Sequence, residues 1–153
     1  MIITDGVPYL PQVKELLLEY LQRLNRDLSF QDIDAELADP RLKYTAPAGE
    51  LLVAVDTEDR VLGMVAYHRH STERCEMKRL YVRPDFRHQN IGEALITAIL
   101  AHAREAGYRE MVLDTVRPLK AAISLYHRHG FVECAPYCDN PMDDVIYMAK
   151  SLV

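Results

Sequence analysis

The chain has 153 residues, with 18 Lys and Arg against 23 Asp and Glu, a formal net charge of −5 at pH 7. One domain of this length, residues 1–153, buries roughly 70% of the surface its unfolded chain exposes, and 49% hydrophobic against 27% charged residues excludes wholesale disorder. No apolar run approaches the roughly 20 residues of a membrane span, and the acidic balance argues against nucleic acid as a partner.

The N-terminal MIITDGVPYL has neither a basic nor an apolar leader region, so a cytoplasmic protein is expected. Cys75, Cys134 and Cys138 follow no zinc-like spacing and are expected as reduced thiols. The chain is read as starting in a helix: Pro8 and Pro11 suit a first turn, and Leu10, Val13, Leu17, Leu21 and Leu24 recur at helical steps. A second helix is predicted after Ser29 as N-cap, through FQDIDAELA, ending before Pro40. Then LLVAVD, the polar turn TEDR and VLGMVAYHRH predict an antiparallel hairpin, and CEMKRLYV a further strand stopped by Arg83-Pro84. A polar turn feeds a helix closed by Gly107, YREMVLDT is a strand, and Leu119 to His129 is a helix closed by Gly130. The strand-like FVEC and the alternating DVIYMAKSL complete a mixed α/β sandwich.

Chemistry is concentrated in RLYVRPDFRHQNIGEAL. A strand ends at Val82 and a helix starts near Ile91, so unpaired amides and the positive end of a helix dipole offer an anion site. Gly92 in the first turn allows a phosphate close to the backbone, and Arg87 can supply charge. Neither GxGxxG after a first strand nor GxxxxGK[ST] occurs, which removes the dinucleotide and P-loop readings.

At these residues the sequence resembles the GNAT superfamily of N-acetyltransferases. Arg87, His88, Gln89, Asn90, Ile91 and Gly92 occupy the family's turn motif behind Tyr81-Val82-Arg83-Pro84, and Ala122, Leu125, Tyr126, Gly130 and Phe131 match a second landmark downstream. Asn90 stands in place of the usual first glycine, and Leu119 in place of a frequent asparagine. Asn accepts left-handed backbone better than other non-glycine residues, so the turn is expected to survive.

The resemblance implies a mixed, mostly antiparallel central sheet with a splayed parallel strand pair and helices on both faces. It implies acetyl-CoA as co-substrate and a small-molecule or peptide amine as acceptor, with no metal, no membrane or nucleic-acid partner, and a monomer or homodimer. By the same analogy Leu80, Tyr81 and Val82 pair with the pantetheine arm, and the amides from Arg87 through His88, Gln89, Asn90, Ile91 and Gly92 to Glu93 cradle the pyrophosphate. Arg83, Arg87, Arg117 and Lys120 are candidates for a basic rim toward the 3′-phosphate. Tyr126 matches the general acid. Glu76 is the candidate base, with water or an exposed ion pair with Lys78 as alternatives; a bulge between Glu76 and Val82 would reset which face each occupies. Asp139, Asp143 and Asp144 suggest a small cationic amine or amino-acid derivative as acceptor. The rival readings are a non-catalytic acyl-CoA sensor and a structural module. His68 and His70 share a strand face without a third ligand, and are expected to be solvated or to line a substrate site.

Overall fold

The computed structural model describes residues 1–26, 33–45 and 48–153. Its elements in chain order are β1 (Ile2–Asp5), α1 (Leu10–Leu24), α2 (Ile33–Ala38), β2 (Gly49–Val55), β3 (Val61–Arg69), β4 (Arg74–Val82), α3 (Ile91–Glu105), β5 (Glu110–Val116), α4 (Lys120–Arg128), β6 (Val132–Glu133) and β7 (Val145–Ser151). The strands form one sheet in the order β1-β2-β3-β4-β5-β7-β6, antiparallel throughout except for the parallel pair β4–β5.

The boundaries follow local chemistry closely. Helix α1 begins beside the predicted prolines and buries Val13, Leu16 and Leu17; α3 and α4 are followed by Gly107 and Gly130, both at positive φ (93° and 90°), where glycine carries no Cβ penalty. Two expectations are corrected. The chain opens with a strand rather than a helix, because Ile2–Asp5 finds the edge of β2, in register from Ile2 opposite Val55 to Asp5 opposite Leu52. The strand expected at FVEC shrinks to Val132–Glu133 on β7. Ser29, the expected N-cap of the second helix, lies outside the described residues.

Strands β2 and β3 are buried on both faces, which explains their nearly unbroken apolar runs. One face packs on α1, with Leu51, Val53, Val55, Met64 and Ala66 against Val13, Leu16 and Leu17. The other face packs on α3 and α4, with Leu52, Ala54, Val65 and Tyr67 in the same cluster as Leu95, Ile99, Tyr126 and Phe131. Among the described residues no helix is long and apolar enough to cross a membrane.

Two irregularities in β4 shape the site. Its parallel ladder with β5 holds only for Arg74, Cys75 and Glu76, opposite Glu110, Met111 and Val112. Beyond that point β4 stays on β3 and β5 stays on β7 to Val116, so the two parallel strands splay apart. Opposite β3, Ala66 pairs with Lys78 but Met64 pairs with Tyr81, leaving one extra residue in β4 at the bulge, where Arg79 has φ 60°. The face alternation resets there: Cys75 and Met77 join the α3-side core before the bulge, and Leu80 and Val82 pack on that side after it.

Candidate active site

The splay between β4 and β5 opens into a cavity of about 550 Å³ between the ends of those strands, α3 and α4. Of the residues expected to hold the co-substrate, Leu80, Tyr81, Val82, Arg87, His88, Asn90, Ile91, Gly92 and Glu93 line it; Gln89 does not. Leu119 and Lys120 form part of the opposite wall.

The turn leading into α3 presents a run of unpaired amides. His88 and Asn90 both take left-handed backbone, φ 65° and 61°, and Asn90 does so as the residue preceding α3. This conformation turns successive N–H groups toward one side. Among the described residues, the amides from His88 to Glu93 donate to no backbone or side-chain acceptor. The Asn90 departure is therefore absorbed by a backbone state that asparagine tolerates. Gly92 has a second reason to be glycine: a Cβ there would come within 3.1 Å of Leu125 Cδ2, so it sets how closely α3 and α4 approach.

The charges sort differently from expectation. Arg87 stays at the cavity, its Nε donating to the Val82 carbonyl at 3.2 Å. Arg83 is turned to α1, where it donates to Glu19 at 2.9 Å and Glu15 at 3.2 Å, and it does not line the cavity. Arg117 does not line it either; of the expected basic rim Arg87 and Lys120 remain, and Arg23 and Arg128 line the cavity as well. Glu93, an acid beside an anion site, is neutralised by Arg128 and His129, whose hydrogen bonds hold its carboxyl below the usual range.

A smaller, deeper cavity of about 80 Å³ lies in the splay itself and shares Leu80, Leu119 and Ala122 with the larger one. Tyr126 reaches it from α4. The ring is buried and packs edge-on against Phe131 with centroids 6.0 Å apart, and among the described residues its hydroxyl has no hydrogen-bond partner. Burial raises its pKa, so the hydroxyl stays protonated.

From the α1 face the same cavity is lined by Lys78, Arg79 and Asp114. Glu76 lies on this face too, since its neighbours Cys75 and Met77 point the other way. It is buried, correcting the exposed ion pair considered from sequence. His68 Nε2 lies 2.7 Å from its Oε1, Tyr137 donates to its Oε2, and Lys78 Nζ is 3.5 Å from Oε1. Burial pushes the Glu76 carboxyl up, but His68, Lys78 and Tyr137 outweigh it and hold it at about 2. The carboxylate is therefore held ionised, the state in which it can accept a hydrogen bond or a proton from an acceptor amine.

The low value has a consequence for stability. A carboxyl whose folded pKa lies below its unfolded value of about 4.3 contributes stability fully present above that value and lost as pH falls through the folded one. Urea melts are therefore expected to show stability falling between about pH 5 and pH 2, by on the order of 3 kcal/mol from this group. Glu76→Gln should flatten that limb; parent and variant curves of equal acid slope would refute the assignment.

Several members of this cluster were missed in the sequence. Asp114 is the one charged residue within the run MVLDTV, yet only the register of β5 brings it beside Lys78, 3.9 Å away. Tyr137 comes from the segment after β6. Carboxylate oxygens of Glu76 and Asp114 and the Cys138 thiol lie within 4.8 Å of one another. This set does not fit a metal: Lys78 Nζ already lies 3.5 Å from Glu76 and 3.9 Å from Asp114 and so competes for both carboxylates, and the third group is an exposed thiol. Asp144, expected to attract a cation, is occupied by Arg26 in a two-pronged pair of 2.6 and 2.7 Å.

Comparison with known proteins agrees with this geometry. The profile of the acetyltransferase (GNAT) family matches residues 10–131. An uncharacterized N-acetyltransferase of Schizosaccharomyces pombe is 45% identical over 140 residues, covering 91% of this chain and 86% of its own. Among solved structures, a GNAT-family acetyltransferase of Staphylococcus aureus Mu50 superposes with a TM-score of 0.84 at 18% identity, covering 99% of both chains. An aminoglycoside 6′-N-acetyltransferase complexed with coenzyme A gives 0.76 at 17% identity, covering 100% of this chain and 98% of its own. At these identities the two structures speak for the fold.

Proposed function

The chain belongs to the acetyltransferase (GNAT) family and is an acetyltransferase, and from that premise we propose that it moves an acetyl group from acetyl-CoA to a primary amine by direct attack in a ternary complex. The observation that carries this reading is the continuity of the site. The cavity that carries the free amides of the α3 turn adjoins, through Leu80, Leu119 and Ala122, the one that holds the protonated Tyr126.

The residues present fit the donor. The amides from His88 to Glu93 would hold the pyrophosphate, since that of Arg87 already donates to the Pro84 carbonyl, with the Arg87 side chain and Lys120 adding charge. The edge of β4 from Leu80 through Tyr81 to Val82, released from β5, offers backbone groups to the amide-bearing pantetheine arm, and one N–H of this stretch would face the carbonyl oxygen of the thioester. Acetyl-CoA supplies an activated carbonyl and a thiol leaving group. Tyr126 donates its proton toward the departing sulfur.

The acceptor would enter from the α1 face, where Asp114 and Lys78 line the small cavity. Its proton passes to Glu76 or to water, and Glu76 also holds His68, Lys78 and Tyr137 in place around it. A small cationic amine or amino-acid derivative is the acceptor class we infer, supported by Asp114 rather than by Asp144.

Calorimetric titration with acetyl-CoA, and with CoA for comparison, tests the donor half. Micromolar affinity, roughly −8 kcal/mol, is expected. An amine panel monitored by thiol release then tests transfer. Absence of both heat and thermal stabilisation at millimolar acetyl-CoA would overturn the reading.

A further inference from the structure

Resting on the acetyl-transfer reading, we propose that the buried ion pair between Glu36 of α2 and Arg79 is a positioning device that locks the β4 bulge and so sets the backbone of Leu80–Val82 for the reaction. Arg79 is the extra residue that the β3 register leaves over, and it adopts a left-handed backbone that an arginine does not favour. Its side chain is held firmly instead. Nε donates to Glu36 Oε2 at 2.7 Å and Nη2 to Oε1 at 3.0 Å, Tyr44 donates to Oε1 at 2.7 Å, and the guanidinium lies 5.6 Å from the Tyr20 ring centroid. Both charged residues are almost fully buried, 3% and 4% exposed.

The location is what gives the pair a function. The bulge at Arg79 comes three residues after the last β4–β5 ladder pair at Glu76, and it turns Leu80 and Val82 to the α3 side. A buried ion pair contributes little net stability compared with apolar residues of similar volume, but it tolerates only one geometry. Helix α2 packs on the α1 face, with Leu37 against that core, and this is the face carrying Glu76 and Asp114. A single carboxylate on α2 therefore anchors the backbone that would orient the thioester, and it does so from the face on which the acceptor would enter.

The test removes both charges together, so that neither is left buried alone. In Glu36→Leu/Arg79→Met the melting temperature should stay near that of the parent and the donor Kd within about threefold. kcat should fall by about 30-fold, the scale on which misplacement of reacting groups acts, and amide exchange at Leu80–Val82 should quicken. Parent-like kcat or parent-like exchange in a folded double variant overturns the proposal. If that double variant does not fold, Glu36→Leu/Arg79→Gly takes its place: glycine accepts the positive φ without strain and no charge is left buried alone, so the bulge persists while its anchor is gone, and the same two readouts decide. The exchange comparison needs no substrate. If the parent acetylates no amine, the acetyl-transfer reading fails by itself, and unchanged exchange still separately overturns the anchor.

Discussion

Tyr126→Phe is expected to lower kcat by about 10²-fold or more, the usual effect of losing a positioned general acid, with donor affinity and melting temperature close to those of the parent. The reasoning rests on what the substitution leaves intact. The ring keeps its edge-on packing against Phe131, and the hydroxyl that disappears has no hydrogen-bond partner among the described residues, so folding loses almost nothing. In the proposed reaction the loss falls on the step in which the sulfur departs, since there the buried hydroxyl would be the proton source. Steady-state kinetics with acetyl-CoA and the best amine of the panel measure it. A kcat equal to the parent's would remove Tyr126 from the mechanism.

Gly92→Val is expected to weaken acetyl-CoA binding by about 10²-fold, roughly 2.7 kcal/mol. Its Cβ alone would stand 3.1 Å from Leu125 Cδ2, and a branched side chain adds bulk on both sides in a wall of the cavity. Overpacking of this kind costs about 1–3 kcal/mol, and a displaced first turn of α3 also misdirects the free amides. Gly92→Ala is the control: the Leu125 tip can yield a few tenths of an ångström, so alanine should lose less than tenfold. Calorimetry on both variants separates these effects. A valine variant that binds like the parent would mean that the first turn of α3 is not part of the donor site.

Much of the site was legible because its signals are local. The turn motif from Arg87 to Gly92, the helix start at Ile91 and the glycines closing α3 and α4 depend on residues a few positions apart, and the structure has them where the sequence predicts. The acceptor face was not legible in this way. Glu76 stood out, but its partners His68 and Tyr137 come from a neighbouring strand and a distant segment. Asp144 stood out for its charge and proved to be committed to Arg26, whereas Asp114 reached the cavity.

The sequence by itself determined the helices, the hairpin, the class of the sheet and the turn leading into α3, since hydrophobic period, caps and turn chemistry act within a few residues. Only the tertiary structure decided the strand at Ile2–Asp5, the point where β4 and β5 part, the bulge at Arg79 and the pairing of that residue with Glu36. Each of these depends on register between segments far apart in the chain. A shift of one residue in such a register exchanges the two faces of a strand while leaving its local pattern unchanged.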